Sequence, residues 1–306
     1  MATRILRRAA LTVFIAVGVT VIAFFLVRLA PGDPAAQMLP PTAKPEQIAA
    51  MRERMGLDEP LAYQFWLYVK GLLHGDLGYS YTFRMDNTQL IFPRLGKTAI
   101  ITGLGVALAL LVALPLGMVA GVRRGSASDF FALGFALLGQ AMSPVWLCML
   151  LIMIFSVWLK WLPPEGYGSP AHLVMPSICV GFAFASLVTR MMRAGMIDVL
   201  GQEYITAARA RGIGRTRIYG RYAFKNALLP IITVSGSQLG ILLAGSVVIE
   251  QIFSYPGLGQ LTVAAISGRD FQLVQSILLV IALLMLATNL LVDVLYTFVD
   301  KRVEFN

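Results

Sequence analysis

Long stretches without a single charged side chain run through this sequence. Asp, Glu, Lys and Arg are all absent from residues 9–27, 98–122, 130–159, 166–189, 226–249 and 271–292, which are 19, 25, 30, 24, 24 and 22 residues long. A helix needs about 20 apolar residues to cross a bilayer, so each stretch is long enough to span one. The sequence therefore predicts an all-α integral membrane protein with six transmembrane helices.

The composition agrees with a membrane protein. Hydrophobic residues make up 58% of the chain and charged residues 13%, with a mean hydropathy of +0.74, outside the range of soluble globular domains. The first uncharged stretch follows Arg8 and resembles a secretory signal, but its 19 residues exceed the usual apolar core of about 7–15. We therefore expect a retained first helix. Cys148 and Cys179 lie inside apolar stretches and are expected to be small buried hydrophobes, not a disulfide or a metal pair.

The positive charge predicts the orientation. If the N-terminus is cytoplasmic and six helices follow, the inside segments carry fifteen cations and five acids, whereas the outside segments carry ten of each. Cytoplasmic loops of membrane proteins are enriched in Lys and Arg, so both termini are predicted to be cytoplasmic. A nucleic-acid surface would need aromatic platforms or a recognisable fold beside the charge. Neither is present in the sequence, so we expect no nucleic-acid partner.

The predicted sides of the membrane define how the chain is organised. Residues 1–30 form the N-terminal cytoplasmic end and first helix, 31–97 an extracytoplasmic helical segment, and 94–299 the main transmembrane domain, with helices at about 98–122, 130–155, 171–192, 228–250 and 272–296. A cytoplasmic loop, residues 193–229, joins two of these helices. Pro144 lacks a backbone donor and is predicted to bend the helix that contains it.

The extracytoplasmic segment has helical patterns of its own. Gly56 follows a charged helical stretch and is expected to be a left-handed cap. In the next stretch Leu61, Phe65, Tyr68 and Leu72 fall on one helical face. That face fits a helix that lies on the membrane surface or packs on other helices.

Motifs for catalysis are absent from the sequence. The tripeptide at Gly96–Thr98 resembles the end of a phosphate loop, but the first glycine of that motif would be Ile91. The metalloprotease, serine-hydrolase and C-x-x-C motifs do not occur, and His74 and His172 are expected to be interfacial polar residues. We therefore expect no catalytic residue, no metal site and no cofactor bound by this chain.

Four charged residues lie at the edges of the apolar stretches: Glu250, Arg269 and Asp270 at the outer ends of the fifth and sixth helices, and Asp293 shortly before the end of the sixth. Charge within a membrane is costly and often faces a substrate route. Two interpretations are open for these residues. They snorkel or pair between helices, or they contact a substrate along its pathway.

One basic segment stands between the apolar stretches, EYITAARARGIGRTRIYGRYAFKNALLP, with six cations and one acid from Glu203 to Pro230. Its adjacent alanines would let a partner approach closely, and Gly212 would end or bend a short helix. The loop is also longer than a connection between two helices requires. A basic loop held at lipid headgroups is the simpler alternative.

This segment resembles the cytoplasmic loop of ABC-importer permeases, whose pattern is E-A-A, three residues, G, and later L-P. The matching residues here are Ala207, Ala208, Gly212, Leu229 and Pro230, with Glu203 four residues before the alanine pair. Two departures occur, since Thr206 directly precedes the pair and the spacing to Leu229 is longer. Both departures are typical of the dipeptide, oligopeptide and nickel class of these permeases.

Further motifs of that class follow in order along almost the whole chain. They are LAPGDP at Leu29–Pro34, MGLDEPL at Met55–Leu61, GDLGYS at Gly75–Ser80, WLPPEGYG at Trp161–Gly168, YPGLGQL at Tyr255–Leu261 and NLLVDVLY at Asn289–Tyr296. The resemblance implies a type I ABC importer in a bacterial inner membrane. It also implies four kinds of partner: a second homologous permease subunit, two cytoplasmic ATPase subunits that bind ATP and Mg, an extracytoplasmic solute-binding protein and the lipid bilayer.

The resemblance also implies how the loop works. A short coupling helix at about Thr206–Gly212 would rest in a groove of an ATPase subunit, and ATPase closure would move the attached helices. The residues implied in this coupling are Glu203, Tyr204, Thr206, Ala207, Ala208, Arg209, Arg211 and Gly212.

The implied substrate is a di- or oligopeptide, with glutathione, nickel or another small solute as alternatives. A stand-alone channel or secondary carrier is a more distant alternative, which would use an ion relay inside the membrane and need no docking loop. A membrane enzyme is disfavoured because no nucleophile and base are paired within the apolar stretches.

Overall fold

A computed structural model describes residues 2–29, 35, 42–54 and 56–299, with side chains described for 11–25, 35, 42–53, 56–236, 238–243 and 246–290. The chain divides into two compact units. Unit 1 comprises Met1–Lys97 and Gly257–Leu286, and unit 2 comprises Thr98–Pro256 and Ala287–Asn306.

Nearly all described residues are helical. In chain order the elements are α1 Ala2–Leu29, α2 Pro45–Arg54, α3 Leu61–Leu73, β1 Tyr79–Ser80, β2 Met85–Asp86, α4 Asn87–Val122, α5 Ala127–Ala141, α6 Pro144–Leu151, α7 Ala171–Leu200, α8 Glu203–Ala210, α9 Arg215–Arg217, α10 Phe224–Gly245, α11 Val247–Ile252, α12 Leu258–Ser267 and α13 Phe271–Val299. Two π-helical segments, Ile152–Trp158 and Ile218–Ala223, follow α6 and α9.

Three described helices are long and apolar enough to cross a membrane: Asn87–Val122, Ala171–Leu200 and Phe271–Leu290. Two bent pairs also pass the same test. They are Ala127–Ala141 with Pro144–Trp158, and Arg215–Gly236 with Gln238–Ile252. The described residues therefore contain three candidate spans by length and composition, or up to five if each bent pair is one span. The mostly helical, membrane-spanning class expected from the sequence is confirmed.

The bend predicted at Pro144 is present as a complete break. Ser143 has an extended backbone, Pro144 opens α6, and the two helices meet at 110°. Proline is tolerated in the first turn of a helix because its missing N–H has no partner there. The stretch predicted as one helix, 130–155, is therefore two helices.

Other helices are longer than their apolar stretches. α4 begins at Asn87, before the predicted 98, and α7 continues to Leu200, beyond the predicted 192. Charged residues interrupt an apolar stretch without interrupting the backbone hydrogen bonds of a helix. An uncharged stretch therefore predicts that a long helix is present, but it does not predict where that helix begins or ends.

In unit 1, the segment after α2 packs on the first helix. Gly56 has a φ of +62°, which confirms the predicted left-handed cap. The rings of Phe65 and Tyr68 in α3 lie 5.2 and 5.8 Å from the ring of Phe24 in α1. The middle of the predicted apolar face of α3 is thus packed on a helix, whereas Leu61 at its start is 53% exposed and Trp66 is exposed as well.

Unit 1 has its own hydrophobic core. It is formed by the start of α4, by α12 and by the start of α13, through Leu90, Ile91, Leu258, Leu261, Ala265, Leu273, Ile277 and Val280. The short helix α12 occupies the stretch between the last two predicted membrane helices.

In unit 2, α7 packs closely on α4 and α5. A Cβ added to Gly181 would lie 2.2 Å from the carbonyl oxygen of Gly105, so the two backbones touch. Arg193 of α7 donates hydrogen bonds through Nε and Nη2 to the carboxylate of Asp129 in α5. These contacts connect α7 to its neighbours before it reaches the basic loop.

Candidate functional site

The basic loop contains one short helix with a defined start. Gln202 has an extended backbone, and its carbonyl oxygen accepts hydrogen bonds from the N–H groups of Ile205 and Thr206. α8 then runs from Glu203 to Ala210, with Glu203 in its first turn and Arg209 in its last. An acid near the N-terminus and a cation near the C-terminus both interact favourably with the helix dipole.

The end of α8 depends on Gly212. Its φ is +76°, its N–H donates to the carbonyl of Arg209 at 2.9 Å, and the N–H of Ile213 donates to the carbonyl of Ala208 at 3.2 Å. This pair of bonds is a Schellman motif, which requires a left-handed residue after the helix. The glycine predicted to end the helix does so, and it turns the chain towards α9.

α8 has a buried face and an exposed face. Ile205 is 0% exposed and Ala208 is 6% exposed. These two residues are three positions apart and so lie on the same face of the helix. Exposed are the other coupling residues expected from the sequence, namely Glu203, Tyr204, Thr206, Ala207, Arg209, Arg211 and Gly212. Of the alanine pair, Ala207 faces outward and Ala208 packs against the protein.

The segment that follows α8, from the second π-helical segment to the start of α10, packs beside it. Ile218 and Ala223 of the second π-helical segment are buried, and so is Ala227 of α10. Asn226 in α10 donates a hydrogen bond from Nδ2 to the hydroxyl oxygen of Tyr204 at 3.2 Å. α8 is therefore fixed to the start of α10.

α7 and α10, which lie on either side of α8 in the sequence, pack on each other. Met192 and Met196 of α7 share a buried cluster with Ala223, Ala227 and Ile231. Tightly packed interiors transmit displacement with little compression. A push on α8 would therefore reach both long helices together.

The exposed surface around α8 is strongly basic. Six cations lie between Glu203 and Pro230, and all six are exposed: Arg209, Arg211, Arg215, Arg217, Arg221 and Lys225. Glu203 is the one acid in that segment. The surface therefore suits an acidic partner or anionic headgroups.

Sequence reasoning missed three residues of this site: Ile205, Ile218 and Asn226. The spacing of Ile205 to Ala208 could have indicated the buried face of α8. No pattern in the sequence pairs Asn226 with Tyr204, because that contact depends on how α10 is placed beside α8.

Of the four pathway candidates, Glu250 is fully buried within unit 2. Its Oε1 accepts hydrogen bonds from Thr98 Oγ1 at 2.7 Å and from Ser246 Oγ at 2.9 Å. The first bond connects α4 to α11. A buried carboxylate held in this way has the form of the interhelical contact expected under the first interpretation.

Asp270 is also buried, and it holds together unit 1. Its carboxylate accepts hydrogen bonds from Ser80 Oγ at 2.6 Å, from the N–H of Thr82 at 3.1 Å and from the N–H of Leu273 at 3.1 Å. The last bond caps α13. Burial, followed by the negative charge of Asp270, raises the pKa of Tyr81 above its ordinary value.

The other two candidates differ in what the structure describes. Arg269 is exposed, with a φ of +52°. Asp293 lies within α13, but its side chain is outside the described part of the structure. Among the described residues, no group of three or more His, Cys, Asp or Glu side chains is placed to hold a metal ion.

Comparison with known families gives matches along both parts of the chain. Residues 113–305 match the family described as the binding-protein-dependent transport system inner membrane component. Residues 1–102 match the N-terminal domain of membrane components of the same systems.

Relatives match over nearly the whole length. The glutathione transport system permease protein GsiC of Salmonella paratyphi A is 37% identical over 287 residues, 94% of each chain. GsiC of Escherichia coli K12 is 36% identical over the same share of each chain. The ordered motifs in the sequence therefore reflect a relationship along the full chain.

The fold also matches a solved structure. The inward-facing MetNI methionine ABC transporter aligns with a TM-score of 0.57 and 18% identity, covering 70% of this chain and 97% of that one. At this identity the likeness concerns the fold alone. The chain belongs to the family of binding-protein-dependent transport system inner membrane components and is a membrane-spanning permease subunit of a small-solute importer.

Proposed function

We propose that the chain is the permease subunit of an ATP-driven importer and that α8 is its coupling helix, where a cytoplasmic ATPase subunit docks. The observation that carries the proposal is the two-sided structure of α8. Ile205 and Ala208 fix it to the protein, while Tyr204, Ala207 and Arg211 are exposed.

The docking surface combines a small residue with charge. Ala207 leaves room for a partner to approach the helix backbone, and Arg209 and Arg211 are available to acids of that partner. Ala208 has a different role, because its methyl group packs inward and keeps α8 close to the protein. ATP and Mg would be bound by the partner, so this chain needs no nucleotide site.

Movement of α8 would be transmitted through its supports. Closure of the ATPase pair would push α8, and α7 and α10 would follow because they are packed on each other through Met196 and Ala227. Rocking of these helices would open the pathway on the opposite side of the membrane.

We further propose six transmembrane helices with both termini in the cytoplasm of a bacterial cell. The excess of fifteen cations over five acids on the inside segments supports this orientation. α1 would be the first span, and α2, α3 and the β1–β2 hairpin would be extracytoplasmic. The exposed Trp158 and Trp161 beside Lys160 would then lie at the outer interface.

The importer would need four partner subunits besides the lipid bilayer. They are a second homologous permease, two cytoplasmic ATPase subunits and an extracytoplasmic solute-binding protein. The family description, which names binding-protein-dependent transport, supports the last of these.

We propose that the substrate is a di- or oligopeptide, with glutathione, itself a peptide-like solute, as the first alternative. The name of the relatives supports a substrate of this kind. Uptake of labelled dialanine in competition with glutathione would separate the two. Nickel or another solute would be favoured if neither compound is transported.

For the pathway, we propose that Glu250 and Asp270 maintain the fold instead of contacting the solute, because both are buried and accept hydrogen bonds from hydroxyl or N–H donors. Arg269 is exposed and remains a candidate for contact with the solute. Asp293 remains a candidate as well.

The coupling role is tested by Gly212→Glu. A side chain at Gly212 must adopt φ near +76°, at a cost of about 1–2 kcal/mol, and the new carboxylate would project from the docking face. We expect normal membrane insertion, but loss of uptake and of substrate-stimulated ATPase activity. Normal transport by this variant would contradict the proposal.

Gly214→Glu is the matched control. Gly214 is exposed, has an ordinary φ of −63°, and a Cβ added there meets no atom within 4 Å. The Gly214→Glu variant introduces the same negative charge two residues away from Gly212 without changing the end of α8. We expect it to retain most of the uptake, and an equal loss in both variants would show that charge alone is responsible.

A further inference from the structure

Unit 1 contains a cavity of about 210 Å³ between α1, α3 and α13. Its wall includes Phe24, Leu67, Tyr68, Leu77, Gln272 and Gln275. At roughly 30 Å³ for each water molecule, the space corresponds to about seven waters, which is on the scale of a small organic molecule. The described lining carries no charged side chain.

Two amide atoms of this wall lack partners. Gln272 Oε1 and Gln275 Nε2 are buried, and neither has a hydrogen-bond partner among the described residues. Gln275 is only 6% exposed. A buried donor or acceptor left unpaired destabilises a protein, so such atoms in a cavity wall indicate a ligand that completes them.

The two atoms are complementary and belong to neighbouring side chains of one helix. Gln272 and Gln275 are three residues apart on α13, so their side chains share one face of the helix. Gln272 offers an acceptor and Gln275 offers a donor. A ligand that satisfies both must therefore present one donor and one acceptor towards the same side.

The surroundings hold Gln272 in place. Gly78 lies against its side chain, since a Cβ added there would be 2.9 Å from Gln272 Nε2. Ser276, the remaining hydroxyl of α13 in the wall, already donates to the carbonyl of Gln272 at 2.8 Å and accepts from Asn87 Nδ2 at 3.0 Å. Among the described polar side chains of α13 in this wall, Ser276 is thus already paired, and the two unpaired amide atoms can bind a ligand.

We propose that the cavity binds one internal residue of a short, extended peptide. A residue in extended conformation presents its N–H and its C=O towards the same edge, as it does in an antiparallel ladder. Its N–H would donate to Gln272 Oε1 and its C=O would accept from Gln275 Nε2. An apolar side chain would contact Phe24, Leu67 and Leu77.

The proposed residue is an internal one because the described lining residues offer no charge to a free amino or carboxyl terminus, and an unpaired buried charge is costly. This site goes beyond the coupling role of α8 and lies in the other unit of the chain. Binding to the purified full chain is measured without transport, so its outcome is independent of the Gly212 experiment.

The test uses acetyl-leucine amide, a neutral leucine residue with an amide group on each side. Binding to the full chain in lipid nanodiscs would be measured by saturation-transfer NMR, together with the matched ester in which oxygen replaces the leucine N–H. We expect saturable binding of the amide and about fivefold weaker binding of the ester, because one hydrogen bond is lost.

The variants Gln272→Leu and Gln275→Leu assign the contacts. Each is expected to weaken binding of the amide about fivefold, while Gln89→Leu, at an exposed position outside the cavity, leaves it unchanged. In Gln272→Leu the amide and the ester should bind equally, because the acceptor for the N–H is gone. Thermal midpoints of both cavity variants should match or exceed that of the wild type, since leucine leaves no unpaired amide.

Two outcomes would overturn the proposal. One is an absence of saturable binding of the amide to the wild-type chain. The other is a difference between amide and ester that persists unchanged in Gln272→Leu, which would place the N–H contact elsewhere.

Discussion

Asn226 of α10 donates a hydrogen bond from Nδ2 to the hydroxyl oxygen of Tyr204 in α8, with an N···O distance of 3.2 Å. The same nitrogen lies 2.7 Å from the carbonyl oxygen of Tyr222. The short helix that we assign to ATPase docking is thereby connected to the long helix that would move.

Tyr204→Phe removes the hydroxyl from this link and leaves the ring. A hydrogen bond of this kind contributes about 0.5–1.5 kcal/mol, so we expect uptake to fall about two- to tenfold while the amount of protein in the membrane is unchanged. The comparison is Tyr63→Phe, an exposed tyrosine of α3. Equal uptake by Tyr204→Phe and wild type would show that this hydrogen bond is not needed for coupling.

Gly105→Ala tests the backbone contact between α4 and α7. The added Cβ would lie 2.7 Å from the carbonyl oxygen of Ser177, so the helices must separate. Overpacking of this kind costs about 1–3 kcal/mol and should lower the thermal midpoint of the purified protein. Gly103→Ala is the matched control, since a Cβ there meets no atom within 4 Å, and it should keep or raise the midpoint.

Asp129→Asn tests the ion pair that joins α5 to α7. The side chains of Asp129 and Arg193 are 5% and 21% exposed, so the variant leaves a partly buried guanidinium without its countercharge. We expect a loss of about 1–3 kcal/mol in stability, smaller than for a fully buried pair because water screens Arg193.

The control for this pair is Asp198→Asn, which removes the same charge from an exposed position of α7. In a double-mutant cycle, Arg193→Gln should add little to the cost of Asp129→Asn, because the interaction is already lost. Additive costs would mean that the two residues act separately.

Asp270→Ala tests the interpretation of Asp270 as a structural residue. It removes three hydrogen bonds, from Ser80, Thr82 and Leu273, and we expect about 2–4 kcal/mol of destabilisation, measured as a lower thermal midpoint. Asp86→Ala, at an exposed position in β2, should change little. A variant with wild-type stability and abolished uptake would favour a pathway role for Asp270 instead.

Much of the organisation can be derived from the sequence because lipid imposes a simple rule. Backbone groups in a bilayer must pair within the chain, so long uncharged stretches become helices. Local chemistry similarly predicts the left-handed cap at Gly56, the end of a helix at Gly212 and a bend at Pro144, since each depends only on the backbone of a few neighbouring residues.

Contacts between residues far apart in the chain cannot be predicted in this way. The sequence does not show that Ala208 packs inward while Ala207 is exposed, since that difference depends on which face of α8 meets the rest of unit 2. The same holds for Glu250. Its charge in the sequence fits either a pathway or an interhelical contact, and only the tertiary structure shows that Thr98 of α4 donates a hydrogen bond to it.

Composition, charge distribution and ordered motifs thus determined by themselves that this chain crosses a membrane many times, and they singled out the basic loop to which we assign the coupling role. Only the tertiary structure decided which residues of that loop are exposed, which acids are buried, and that two glutamines of α13 border a cavity. The physical reason is range: bilayer insertion and helix ends depend on neighbours in sequence, whereas burial and hydrogen bonding depend on packing between segments far apart in the chain.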